Sequence, residues 1–421
     1  MKLASAAALT ALLLGSTALA QDKPLDGVTL TLASQNDQFA AVIADLAPKF
    51  EEETGAKLNV DILDYGSLLT KTTADYIGDT AGYDLVTMDI VWAGEYAENG
   101  YSVDLTDLIK RDAAEIDVDD IYPNLMMGLG NFDGKQVAFP FAGYANVLAY
   151  NKTMFDAAGL TAPTTMEEFV ADAKTLTDPE KGVYGFVANG QKGPAVAQDW
   201  MQYNTEMGGS IMGADGKPAL NSDANVQSLT VYADLFKTAA PPGAANYDWG
   251  GREESFRQGV AAQMQTWSVG APGYYNPDMS KIVDDVAITV APHGENVPPA
   301  YGIGGWGMAI NADISPEQQE AAWTFIKWLT SPAVHKEFNL MGAGSFLRKS
   351  EMTDPDLLAK FPFLPVVAET FEKGDYNYRP RIPEYPQIQD ILGTAVNDVL
   401  VGNADPQEAL DAAQKEAEDL F

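Results

Sequence analysis

The 421-residue chain contains no cysteine. Disulfides, thiolate metal sites and cysteine nucleophiles are therefore excluded, as is the lipid-bearing cysteine that would tether an exported protein. Histidine is nearly absent too. His293 and His335 are the only two, in unrelated contexts, which argues against a histidine metal site or a histidine general base; both read as surface residues. Basic residues are scarce, 26 Lys and Arg against 60 Asp and Glu, for a formal charge of −34. Nucleic acid and anionic lipid reward basic patches, so neither suits this chain as a partner. The acidity reads as a solvated, soluble surface, or more sharply as a match to a cationic ligand such as a polyamine. Beyond residue 20 no run approaches the roughly 18 uncharged apolar residues of a membrane-spanning helix, so no stable membrane anchor is expected.

What the N-terminus does hold is Lys2, an apolar stretch from Leu3 to Leu14, and Ala18-Leu19-Ala20. That is the charge, apolar core and small-residue pattern of a secretory signal, with cleavage after Ala20 and a periplasmic destination. The remaining 400 or so residues, at 46% hydrophobic composition overall, exceed the size at which one core usually keeps growing, and two domains are expected.

Residues 28–33 form a β-rich run, and Phe39, Val42, Ile43, Leu46 and Phe50 follow at helical spacing until Thr54-Gly55. A second strand at 58–63, a helix over 68–77 and a third strand at 83–88 complete a β-α-β-α-β opening, which predicts a parallel sheet covered by helices. In such sheets ligands sit at the carboxyl ends of the strands, here residues 34–38, 64–67 and 89–92. Two further β-prone runs, 134–140 and 147–150, flank small residues suited to a strand that bends between lobes. Thr165 and Glu168 have capping-box spacing for a helix over 165–176, and 226–237 reads as another. A strand follows at 286–290. Ser315-Pro-Glu-Gln318 and Asp405-Pro-Gln-Glu408 are strong helix starts, and Trp323 and Trp328 on the first of these read as core.

Gly302-Ile-Gly304-Gly305-Trp306-Gly307 satisfies the dinucleotide fingerprint literally, but Met308-Ala-Ile310 after it is strand-like where that fingerprint needs a helix. These glycines read instead as backbone brought close to a ligand or hinge. Tyr274-Tyr275 offer phenolate oxygens for ferric iron, against pocket wall or core. Glu253-Glu254 offer the carboxylate pair of a glycosidase, although sixty acidic residues produce such pairs by chance.

The aromatics are more informative: seven Trp, eighteen Tyr and seventeen Phe, several of them beside Gly, Asp or Pro rather than on apolar helix faces. A sugar ring offers a flat C–H face and a rim of hydroxyls, so its sites pair aromatic platforms with polar edges. Platform candidates are Trp92, Tyr144, Trp249, Trp267 and Trp306, and edge candidates are Gln35, Asn36, Asp89 and Arg379. Trp267 in Gln-Thr-Trp-Ser and Trp306 in Gly-Gly-Trp-Gly stand out, because those settings suit a site better than a core.

Several blocks now combine: Phe50-Glu-Glu-Glu-Thr-Gly55, Tyr83-Asp-Leu-Val-Thr-Met-Asp89 with Trp92 and Tyr96-Ala-Glu-Asn-Gly100, Gly134-Lys-Gln-Val-Ala-Phe-Pro140, Leu148-Ala-Tyr-Asn-Lys152, Phe256-Arg-Gln-Gly259, Gly304-Gly-Trp306 and Ile382-Pro-Glu-Tyr385. In order and spacing, over essentially the whole mature chain, they resemble the extracellular solute-binding proteins of sugar ABC importers, the group containing maltose-binding protein and the sugar-alcohol-binding proteins. The resemblance implies an α/β, two-lobe periplasmic-binding-protein fold, each lobe a mainly parallel sheet flanked by helices, joined by a hinge of several chain crossings. It implies lobes over 21–142 with 306–350 and 143–305 with 351–421, and crossings near 141–147, 302–307 and 347–360. It further implies a monomer without cofactor that is not an enzyme, binds a sugar or polyol and docks on an importer's membrane permease. Its ligand contacts map to Gln35, Asn36, Asp89, Trp92, Tyr144, Trp267, Gly304, Gly305, Trp306 and Arg379. Tyr144 stands where the maltose binder has a carboxylate, so a maltose ligand does not carry over. An unpaired Arg379 would suit a sugar acid or sulfonated sugar. The competing readings are a receptor for ferric iron or a polyamine, and a secreted glycoside-processing enzyme.

Overall fold

The computed structural model describes residues 23–421; the export segment 1–20 and its cleavage point lie outside them. Strand β1 (Thr29–Gln35) pairs in parallel with both β2 (Lys57–Leu63) and β3 (Leu85–Asp89). Helices α1 (Gln38–Thr54) and α2 (Tyr65–Ile77) make the links. Helix α1 buries Phe39, Val42, Ile43, Leu46 and Phe50, each worth about 1.5–3 kcal/mol when fully removed from water. Asp37 caps its start, and Gly55, at φ 87°, ends it.

After β3 the chain forms a small hairpin, β4 (Asn131–Phe132) and β5 (Lys135–Gln136). Its turn is Asp133-Gly134, both at positive φ (47° and 83°), the geometry that favours Asp-Gly between antiparallel strands. The runs at 134–140 and 147–150 are not two separate strands: the first supplies β5 and the start of a single strand, β6 (Phe139–Asn151), which includes the second. The early half of β6 pairs with β9 (Ile303–Ile310), which in turn lies antiparallel to β3. Its late half pairs with β7 (Gln263–Trp267) and β8 (Val286–Val290), also antiparallel. One strand thus belongs to both halves of the molecule. Ala142, Gly143 and Ala145 keep it slim where it changes partners, and the register shifts between Pro140 and Ala142.

The expected helix caps are present. Thr165 and Glu168 form a capping box on the Met166–Leu176 helix. Ser315 caps Pro316–Thr330 through the Gln318 amide at 3.2 Å, and Asp405 caps Pro406–Glu418 through the Glu408 amide at 2.9 Å. Trp323 is buried and Trp328 half-buried. No helix among the described residues is long and apolar enough to cross a membrane.

The surface expectation for the histidines fails. His335 is fully buried, its Nε2–H donating to the Phe141 carbonyl at 2.9 Å and its Nδ1 facing Glu351 Oε1 at 2.6 Å. Phe141 sits at the register shift of β6, where the sheet leaves its carbonyl for a side-chain donor. His293 is half-buried, with Nδ1 3.0 Å from the Gly294 carbonyl.

Candidate functional site

A cavity of about 140 Å³ lies where the carboxyl ends of β1 and β3 meet the crossing strands, the place at which open α/β sheets expose their loops. Gln35, Asn36, Asp37 and Gln38 reach it from the end of β1, Tyr65 from the start of α2, and Asp89 from the end of β3. Tyr144 on β6, Gly305 and Trp306 on β9, and Arg379 form its hinge-side wall. Gln198, Trp249, Arg252, Glu253, Trp267, Val269 and Gly270 close it from the other half. A cavity of about 150 Å³ in another protein admits benzene, so this one suits a single small molecule rather than an oligosaccharide.

Of the ten proposed contacts, eight line this cavity and two do not. Trp92 is buried behind the wall, its ring centroid 5.1 Å from Tyr65 and 5.7 Å from Trp306. Gly304 acts from the side: a Cβ there would stand 2.7 Å from the Trp267 ring, so its lack of a side chain lets that indole lie in place. Gly305, at φ 128°, would put a Cβ 2.0 Å from the Ala142 carbonyl oxygen, which only glycine avoids.

Three carboxylates in the wall are each held by a tyrosine hydroxyl. Tyr65 donates to Asp89 Oδ2 and Tyr144 to Asp37 Oδ2, both over 2.8 Å, and Tyr274 donates to Glu253 Oε2. Loss of water raises the Asp89 pKa above the usual carboxylate range, against the opposing pull of the Arg379 charge and the Tyr65 hydroxyl. Asp37 is raised for the same first reason, with the Gln38 amide and Tyr144 working the other way. Glu253 also receives Arg252 Nη2 at 3.0 Å and the Thr266 hydroxyl at 2.6 Å, while Arg252 Nη1 holds the buried Asp199 at 2.7 Å. Both terminal nitrogens of Arg252 are thus committed to the protein, and only its Nε lacks a partner among the described residues.

Arg379 differs. It is 3% exposed, its Nε and Nη1 have no partner among the described residues, and its guanidinium lies 5.4 Å from the Trp267 ring centroid and 5.5 Å from that of Tyr378. Burial works against its charge, but Tyr378 and Asp89 outweigh that and hold its pKa above the ordinary value. The cavity therefore offers one guanidinium with unpartnered Nε and Nη1 donors, aromatic faces from Trp249, Trp267, Trp306 and Tyr65, and an acceptor-rich rim. Three carboxylates against two guanidiniums disfavour an anion, contrary to the sugar-acid idea drawn from Arg379 alone.

Asp37, Gln38 and Tyr65 lie in loops that the strand pattern marks, but nothing in their local sequence singles them out. Gln198 and Arg252 sit on helices far along the chain and carry no such signal. The Tyr274-Tyr275 pair diverges: Tyr274 faces Glu253, whereas Tyr275 stacks on Phe363 with ring centroids 5.9 Å apart.

A two-lobe fold with an aromatic-walled cavity carrying charged and polar groups at the chain crossings is that of a solute receptor. Residues 33–336 match the bacterial extracellular solute-binding proteins, and the chain belongs to that family. A crystal structure of an ABC transporter solute-binding protein from Agrobacterium radiobacter K84, in complex with ribitol, is 72% identical, with a TM-score of 0.93 over 95% of this chain and 100% of that one. The mannitol-binding protein of Pseudomonas aeruginosa is 26% identical over 92% of each chain. A probable amino-acid ABC transporter periplasmic-binding protein of Sinorhizobium fredii is 28% identical over 93% of this chain and 88% of its own.

Proposed function

We propose that this chain is the receptor of an ABC importer for a neutral linear polyol of about ribitol size. In this reading it is exported by cleavage after Ala20, works as a monomer, and binds without turnover. The lobes 21–142 with 306–350 and 143–305 with 351–421 close on the ligand and present it to the permease. The observation that carries the ligand class is the triple tyrosine–carboxylate arrangement: Tyr144–Asp37, Tyr65–Asp89 and Tyr274–Glu253. Tyr65 and Tyr144, which line the cavity, have committed their only protons to carboxylates, so around the ligand their oxygens can only accept, while Tyr274 stands behind the wall and holds Glu253 in it. A wall of acceptors selects a molecule rich in donors, and a polyol carries an O–H on every carbon. Arg379 supplies donors to the same hydroxyl oxygens, and the indoles cover the C–H edges. The likeness to the ribitol-bound Agrobacterium protein supports the same class.

Titration calorimetry on the mature protein tests this. Ribitol should bind with 1:1 stoichiometry and be recovered unchanged, and Asp89→Ala should weaken it by about 1–3 kcal/mol. Binding of an amino acid or a polyamine in its place, or turnover of a chromogenic glycoside, would overturn it.

A further inference from the structure

Behind the cavity three chain segments converge. The Asn146 amide of β6 donates to the Gly302 carbonyl, the Ile303 amide to Asp375, and the Asp375 amide to Ala300, each over 2.9 Å. Into this junction points Glu206, the last residue of the Pro194–Glu206 helix and 2% exposed. Its two oxygens take the backbone amides of Ala300 at 3.1 Å and Tyr301 at 2.8 Å. Those are its side chain's only partners among the described residues. Tyr301 is at φ 47°, a left-handed conformation that a side chain adopts only when the surroundings hold it there. Two residues later β9 begins, and it delivers Gly305 and Trp306 to the cavity wall.

We propose that Glu206 is a positioning residue for ligand binding: ionised, it pins the Ala300–Tyr301 turn from which β9 enters the cavity wall, and protonated, it releases that turn. The proposal rests on the reading that this cavity holds the ligand. A carboxylate accepts both amides at once. Once protonated, one oxygen carries a hydrogen that faces the amide hydrogens, and one of the two bonds is lost. Burial pushes Glu206 up to about 7, against the pull of the two amides, so the change falls near neutrality. The other titratable groups at the junction are Tyr301, Asp375 and Tyr378 on the crossings, His293 beside Gly294, and the Lys373–Glu369 pair. None of them supplies a counter-ion to Glu206.

Hydrogen exchange of the peptide covering residues 299–303 in the unliganded protein tests this without any ligand. After correction for intrinsic exchange, its protection should fall about tenfold from pH 8 to pH 6, the equivalent of one lost hydrogen bond. In Glu206→Gln it should be low at both pH values. With ribitol as the probe, wild-type affinity should weaken over the same interval, and Glu206→Gln should bind weakly and without that pH dependence. Wild-type protection that ignores pH, or a variant that keeps wild-type protection and pH profile, overturns the proposal. If Glu206→Gln does not fold, the wild-type pH series decides alone. If ribitol fails to bind, the ligand reading falls while the exchange data still judge Glu206.

Discussion

The hydroxyl of Tyr144 donates to Oδ2 of Asp37 across 2.8 Å, tying the crossing strand β6 to the residue that caps α1. Asp37 Oδ1 is meanwhile taken by the Gln38 amide at 2.8 Å. One carboxylate thus couples a helix start, a crossing and the cavity wall.

Tyr144→Phe removes that donor and leaves Asp37, already raised by loss of water, with less compensation. Ribitol affinity measured by calorimetry should drop by about 1–3 kcal/mol, the cost of an unsatisfied group in an enclosed site. Unchanged affinity would mean that Asp37 lies outside the contact surface.

Arg379→Met removes a buried charge that no carboxylate pairs at close range. Ligand affinity should fall by about 1.5–3 kcal/mol, as for hydrogen bonds to a charged group. The melting temperature of the unliganded protein should change little, because Nε and Nη1 of Arg379 have no partner among the described residues. A lower melting temperature with unchanged affinity would show that Arg379 is structural.

Arg252→Met has the opposite signature. Asp199 and Glu253 lose the guanidinium that bridges them at 2.7 and 3.0 Å, and removing one partner of a buried pair costs about 3–5 kcal/mol. The thermal transition should fall by several degrees even without ligand.

Asp172, on the Met166–Leu176 helix, is pushed up to about 6, chiefly by burial and further by Glu168. Its folded carboxyl holds a proton more tightly than the unfolded one, so the stability it contributes is fully present below pH about 4 and is lost as pH rises through 6. Wild-type melting temperature should therefore decline between pH 4 and 7 more steeply than that of Asp172→Asn, as followed by calorimetric melts. The slope that remains in the variant includes Glu206, which has the same sign.

The parallel opening of the fold is legible in the sequence because periodicity acts locally, and caps are legible for the same reason: Thr165, Ser315 and Asp405 each announce a helix, and each is found capping one. The pairing of β6 with both halves is not, since that depends on partners more than a hundred residues away. Trp267 and Trp306 stand out by their small or polar neighbours, whereas Trp92 follows the apolar pair Ile90-Val91 and is buried behind Tyr65. Spacing cannot tell a wall from what lies behind it. His335 misleads for the same reason: its partner, the Phe141 carbonyl, lies almost two hundred residues away, and no local pattern encodes that contact.

The most direct test of the account is a thermal-shift comparison of the mature protein with ribitol, mannitol, aldoses, sugar acids, amino acids and polyamines. At about 100 times its dissociation constant a true ligand adds roughly 2.7 kcal/mol of stability, a shift of a few degrees. Ribitol or a closely similar neutral polyol should give the largest shift, and the charged compounds none. A shift confined to a sugar acid, an amino acid or a polyamine would contradict it.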